Sequence, residues 1–361
     1  MSKVYNFNAG PAILPQPVLQ QAQQELLDYQ GRGMSILEMS HRSKEFEAIN
    51  SGAEATFKRL LGLGGDYRVL FLQGGASSQF AMLPLNFLPP GGVADYIITG
   101  AWGEKAHEEA ARLGQANIAA STQASGYTRV PGAEEIDLTP GAAYVHLTSN
   151  ETIQGVQFPS FPALGEQPLV ADMSSDILSR PLDASRFALI YAGAQKNLGP
   201  SGVTVVLVRQ SWLEQASKTP PTMQRYAVHA KNNSLYNTPP VFGVYMLNLV
   251  LDWIEEHGGL EGLAARNEAK AQAIYGAIDG SGGFYRGHAA KPDRSRMNIT
   301  FRLPSEELEK QFVAASAKAG MVGLAGHRSV GGIRASVYNA MTLEGCQALA
   351  SFMAEFAQAN S

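Results

Sequence analysis

Cysteine is nearly absent from this chain. A single one, Cys346, among 361 residues rules out an intramolecular disulfide and a thiolate metal cluster, and it fits a cytoplasmic setting. Excess charge of one sign is also scarce. The formal net charge is -4, so no broad field favours nucleic acid or an anionic membrane. No stretch approaches the roughly 20 apolar residues of a membrane span. The start, Met1-Ser-Lys-Val-Tyr-Asn-Phe-Asn-Ala-Gly-Pro11, lacks the apolar stretch of a signal peptide. Repeats and low-complexity tracts are missing too. What remains is 45% apolar and 17% charged residues, the balance of a globular enzyme, at a length that suggests two domains.

Short apolar runs alternate with helical patterns through the first two-thirds of the chain. Residues 16–29 and 46–61 read as helices, followed by strands at 67–72, 93–98, 143–147, 169–171, 187–191 and 203–208. This alternation predicts an α/β fold with a mostly parallel sheet covered on both faces. A helix over 241–256 follows Pro239-Pro240, and Gly258-Gly259 ends it. The boundary between the two units is expected near residue 258. Beyond it lie helices at 260–278, 305–319 and 342–358 and strands at 297–302 and 332–336.

Lys196 is the most informative residue. It sits in Tyr191-Ala-Gly-Ala-Gln-Lys-Asn-Leu-Gly-Pro-Ser-Gly202, a small-residue loop between two buried strands, where glycine, asparagine and proline forbid a helix. Partial desolvation there lowers a lysine's pKa and frees the amine to attack a carbonyl, as a Schiff base with an aldehyde cofactor requires. Ligands of open α/β sheets collect at the carboxyl ends of strands. At such ends lie Gln73-Gly-Gly-Ala-Ser-Ser-Gln-Phe80, a phosphate cradle without a Walker lysine, then Trp102, Thr152 and Asp172. Asp172 is open to two readings, a partner for a protonated pyridine nitrogen or an Asx turn. Trp102 is likewise either a stacking surface or a core residue.

With those residues assembled, the chain resembles the phosphoserine-forming branch of the class V aminotransferases, fold-type I pyridoxal-phosphate enzymes. The matching segments are Phe7-Asn-Ala-Gly-Pro-Ala12, Ser40-His-Arg42, Gly74-Gly-Ala76, Asn150-Glu-Thr-Ile-Gln-Gly155, Ala171-Asp-Met-Ser-Ser175, Gln195-Lys-Asn197 and Gly326-His-Arg-Ser-Val-Gly-Gly-Ile-Arg334. They run in order over nearly the whole chain. The resemblance implies a large cofactor-binding domain over 16–258 and a smaller α+β domain from 1–15 and 259–361. It implies pyridoxal 5′-phosphate bound covalently to Lys196, which then shuttles the substrate α-proton. Asp172 is implied to pair with the ring nitrogen, Trp102 to stack on the ring, and Thr152 to contact its O3′. Gly75, Ala76, Ser77 and Gln195 are implied around the phosphate, with Asn237 and Thr238 reaching it from the neighbouring subunit of a homodimer.

The implied reaction exchanges an amino group between L-glutamate and 3-phosphohydroxypyruvate, giving O-phospho-L-serine and 2-oxoglutarate. Serine biosynthesis follows, and vitamin B6 synthesis where phosphothreonine-type substrates are accepted. Two anionic ends call for fixed cations, and arginine binds such groups bidentately. Arg334 is expected on the α-carboxylate. Arg42, His327 and Arg328 are expected on the phosphate or the glutamate side chain, with His41 contributed by the partner. Two departures stand out. Ser77 occupies a place where some members carry arginine, and Ala9 one where some carry serine. Glyoxylate aminotransferases of the same class need no phosphate site. Cysteine desulfurases need a loop cysteine, whereas Cys346 lies in a helical pattern that suits a buried thiol. A non-catalytic cofactor-binding module leaves the cationic cluster unexplained.

Overall fold

The computed structural model describes residues 4–360. Its centre is a seven-stranded sheet in the order Tyr67–Leu72, Thr204–Arg209, Phe187–Gly193, Leu169–Asp172, Val145–Thr148, Val93–Ile98, Gln115–Ser121. Thr204–Arg209 is antiparallel to both of its neighbours, and all other pairings are parallel. That exception follows from chain length. The segment from 194 to 203 is too short for a crossover helix, so the chain turns back on itself. Alternation along each strand feeds two cores. Val69, Phe71, Val205 and Leu207 face one, with helices Lys44–Leu60 and Val241–Glu256 over them. Leu70, Leu72, Val206 and Val208 face the other, beneath helices Gly75–Phe87 and Ala101–Ala111.

The sequence reading meets these elements within a few residues, with instructive differences. The helix expected to 29 spans Gln16–Glu25. Only Val18 and Ala22 of it are buried, and its expected continuation exposes Leu27 at 84% before Tyr29 turns into the core. The helix expected from 46 begins at Lys44, because Ser43 Oγ accepts the Phe46 N–H while Glu45 and Glu47 favour the first turn. Edge strand Gln115–Ser121 was not foreseen. Its exposed, small and polar residues carry little alternation.

A three-stranded antiparallel sheet, Arg286–Gly287, Asn298–Arg302 and Ile333–Ser336, anchors a third core with helices Gly259–Asp279, Glu306–Lys318 and Leu343–Asn360. The chain's beginning joins it: Tyr5–Asn6 pairs with Met321–Val322, and Phe7 is buried among this cluster. Buried amides tie this region to the central sheet. Asn150 Nδ2 donates to Asn298 Oδ1 at 2.8 Å, Asn267 Nδ2 to the Ser179 carbonyl at 2.8 Å, and the Asn339 N–H to Asn197 Oδ1 at 3.0 Å. Each bond removes a polar group from an otherwise unpaired burial, so the network fixes one relative placement.

Gly155 marks the tightest point of that junction. Its φ is +72°, and a Cβ there would lie 2.6 Å from Thr300 Oγ1 and 2.7 Å from the Asn298 carbonyl oxygen. Gly141 has a similar φ of +74° with open space around it. Gly155→Ala should therefore lower the unfolding free energy by about 2 kcal/mol more than Gly141→Ala, since only the former adds a clash to the backbone strain. Equal losses in urea denaturation would show that the junction yields.

Candidate active site

Five strand ends meet at one edge of the central sheet, and each contributes a distinct group. Strand Tyr67–Leu72 runs through Gln73 into Gly74 (φ +93°) and Gly75 (φ +66°), where helix Gly75–Phe87 begins. A Cβ on Gly74 would collide with Ser78 Oγ at 2.1 Å, whereas Gly75 opens onto empty space. The first turn carries no acidic side chain, so its unpaired N–H groups and the helix dipole favour an anion. Trp102 follows Val93–Ile98, in the first turn of helix Ala101–Ala111. Thr148 ends its strand, and the short hairpin after it carries Asn150 and Glu151 on its first strand and Thr152 in its turn. Asp172 ends Leu169–Asp172, and Gln195 and Lys196 follow Phe187–Gly193.

Groups from all five strand ends line a cavity of about 440 Å³. The structure brings Gly75, Ala76, Ser77, Trp102, Thr152, Asp172, Gln195, Lys196, His327 and Arg334 together on its walls, as expected from the sequence. Lys196 Nζ donates to Thr152 Oγ1 at 2.7 Å and lies 5.7 Å from the Trp102 ring centroid. Burial pulls the lysine down to about 8; the Asp172 and Glu151 carboxylates oppose that shift, and Arg334 adds to it. Asp172 makes the Asx turn, its Oδ1 accepting the Ser174 N–H at 2.8 Å, and also faces the cavity. Burial raises its pKa, and hydrogen bonds from Ser174 and the field of Lys196 counteract the rise.

Arg334, on strand Ile333–Ser336, reaches in from the third core and donates from Nη1 to the Thr152 carbonyl at 3.4 Å. His327 is held through Nδ1 by Ser329 Oγ at 2.7 Å, and burial with three nearby cations lowers its pKa. Other expected residues lie outside this cavity of their own chain. Arg42 is exposed with His41 beside it, and Arg328 is exposed on the far side of its loop. Asn237 touches Gln73 Oε1 at 3.3 Å, and Thr238 is exposed. Cys346 is fully buried, its thiol pushed up to about 12, and it does not line the cavity; that is a structural thiol.

Thr148, Asn150, Ser174 and Ser175 line the cavity although the sequence reading did not assign them. Their signal was position alone, beside a carboxyl strand end. The donor set fits pyridoxal phosphate. Trp102 Nε1, Thr148 Oγ1, Asn150 Oδ1 and Arg334 Nε are buried on cavity residues with no partner in the protein. An anion cradle, a desolvated amine, a buried carboxylate and unpaired polar atoms are what a phosphorylated, hydroxylated pyridine aldehyde needs.

Comparison with known proteins agrees. The family model described as aminotransferase class-V matches residues 4–349. This chain belongs to the class-V aminotransferase family. A curated phosphoserine aminotransferase of Herpetosiphon aurantiacus is 64% identical over 354 residues, covering 98% of each chain. The solved phosphoserine aminotransferase of Bacillus circulans subsp. alkalophilus superposes with a TM-score of 0.98 at 59% identity, covering 99% of each chain. A pyridoxal-phosphate-bound phosphoserine aminotransferase from Trichomonas vaginalis gives 0.92 at 37% identity, over 98% of this chain and all of that one.

The family's lysine chemistry yields a pH prediction. Only neutral Lys196 can attack an aldehyde, and its pKa is depressed to about 8. The rate at which cofactor-free protein acquires a visible absorption band with pyridoxal phosphate should therefore rise with pH and level off above about 8. A rise continuing to pH 10 would mean a solvated lysine.

Proposed function

We propose that this chain catalyses reversible amino transfer between L-glutamate and 3-phosphohydroxypyruvate, forming O-phospho-L-serine and 2-oxoglutarate, with pyridoxal 5′-phosphate as cofactor. One observation carries the reading: the desolvated Lys196 amine, the buried Asp172 carboxylate and the Arg334 guanidinium line a single cavity. The overall identity of 64% to a phosphoserine aminotransferase supports the same conclusion. The reaction belongs to serine biosynthesis. The same cationic ends suit a phosphothreonine-type acid, which extends the proposal to vitamin B6 synthesis.

Bound pyridoxal phosphate supplies the carbon that takes up the amino group and a ring that stores the electron pair released from Cα. Lys196 would hold the cofactor, and its Nζ, when free, would carry the Cα proton. With a pKa near 8 the amine is poised to accept and return a proton close to neutrality. Asp172 would hold the proton on the ring nitrogen. Trp102 would face the ring, Thr152 would bond its hydroxyl, and the amides of residues 75–77 with Gln195 would receive the phosphate. Arg334 grips the α-carboxylate. His327, with Arg328, Arg42 and His41, holds the distal phosphate or carboxylate.

A homodimer belongs to this proposal, with His41, Asn237 and Thr238 completing the neighbour's site. Their place outside the cavity of their own chain supports it, as do the exposed Leu27 and Leu37. Residues 16–258 then form the large domain, and 1–15 with 259–361 the small one; the pairing of Tyr5–Asn6 with Met321–Val322 supports that division. Cytoplasmic residence fits a chain whose single cysteine is unpaired. Among the described residues no helix is long and apolar enough to cross a membrane.

The decisive experiment mixes purified holoenzyme with O-phosphoserine, serine, alanine or glutamate and follows the visible spectrum. Phosphoserine and glutamate should bleach the yellow band, and serine and alanine should not. Bleaching by alanine or serine but not by phosphoserine would overturn the substrate while leaving the cofactor. Lys196→Ala should abolish the covalent band and slow turnover by about a thousandfold. Arg334→Lys should raise KM for glutamate about tenfold or more, because a lysine cannot form the paired bonds; an unchanged KM would count against its role.

A further inference from the structure

Beyond its field at Lys196, Glu151 has no part in the chemistry described so far, and it does not line the cavity. It is nevertheless fully buried, and its carboxylate accepts two successive backbone N–H groups, from Trp102 at 3.0 Å and from Gly103 at 2.8 Å. Gln154, from the turn of the same short hairpin, takes the Ala101 N–H at 3.4 Å. The first turn of helix Ala101–Ala111 is thus gripped by side chains of residues 151–154. Space confirms how close the approach is. A Cβ on Gly100 would lie 2.6 Å from both Glu151 Cδ and Gln154 Oε1. Between these two gripping residues stands Thr152, the acceptor of the Lys196 ammonium.

We propose that Glu151 is a positioning residue that fixes the Trp102 indole against the cofactor ring by clamping the start of its helix to the turn that holds Lys196. The inference rests on the reading of this cavity as the pyridoxal-phosphate site and deepens it. A carboxylate suits the task because it can accept both amides while favouring the positive end of the helix. Burial pushes the carboxyl up to about 7, and the two amide donors with Lys196 pull it back toward its ionised form. A side chain with a single acceptor oxygen, or none, leaves the helix start free to tilt, and the indole tilts with it.

The test compares wild type, Glu151→Gln, Glu151→Ala, Trp102→Ala and the Glu151→Gln, Trp102→Ala double variant, each as full-length protein loaded with pyridoxal phosphate. The visible circular dichroism of the bound cofactor and its dissociation constant are measured, along with amide exchange over residues 101–103. The substitution Glu151→Gln should weaken cofactor binding by about threefold to tenfold and reduce the dichroism, and Glu151→Ala should do more of both. Exchange at residues 102 and 103 should accelerate in step. The double variant should be no worse than Trp102→Ala, because Glu151 acts through the indole. Additive losses in the double variant, or unchanged dichroism and exchange in Glu151→Gln, overturn the proposal; if Glu151→Ala fails to fold, the nearly isosteric glutamine variant decides. Wild-type protein that binds the cofactor but exchanges no amino group with O-phosphoserine sinks the functional reading alone. Wild-type protein that takes up no cofactor sinks both.

Discussion

Removing the Lys196 ammonium from water is the constraint to which the rest of this site answers. Desolvation lowers the pKa of this amine by favouring its neutral form. Buried carboxylates at 172 and 151 counteract that shift, and the amine settles at about 8. Those carboxylates carry their own desolvation cost, which the amides of Ser174, Trp102 and Gly103 reduce in part. Charge and hydrogen bonds are therefore matched across three strand ends rather than within one loop.

Rigidity follows from the same arrangement. The loop bearing Lys196 is pinned at both sides, by Ala194 N–H to the Val203 carbonyl and by Asn197 to the Asn339 amide. Asn197 thereby links the reactive lysine to the region that supplies Arg334. Arg334 and Lys196 keep their spacing because buried amides bridge the two regions that carry them. Any one of those bonds contributes modestly; broken, each leaves a buried polar group unpaired, at a cost of about 1–3 kcal/mol. The asymmetry favours a single placement.

Much of the fold was legible because it rests on local pattern. Strands Tyr67–Leu72 and Val93–Ile98 and helix Val241–Glu256 were foreseen at their observed limits, since apolar runs of the right period meet clear breakers there. Edge strand Gln115–Ser121 was not, because an exposed edge imposes no period on its residues. At the site, residues with distinctive chemistry stood out by type: Lys196, Asp172, Trp102, Arg334. Thr148, Asn150 and Glu151 did not, since a buried threonine, asparagine or glutamate looks in sequence like any other until its neighbours are known.

By itself the sequence determined the kinds of groups available and the strand ends that carry them, because periodicity and turn chemistry act over a few residues. It also determined the family, because ordered motifs along the whole chain are not matched by chance. Tertiary structure alone decided which of those groups meet. Asp172 serves as Asx turn and cavity wall together, and Glu151 grips a helix that starts about fifty residues earlier in the chain. Such outcomes depend on packing between distant segments, which sets burial, and burial sets whether a carboxylate or an amine keeps its ordinary charge.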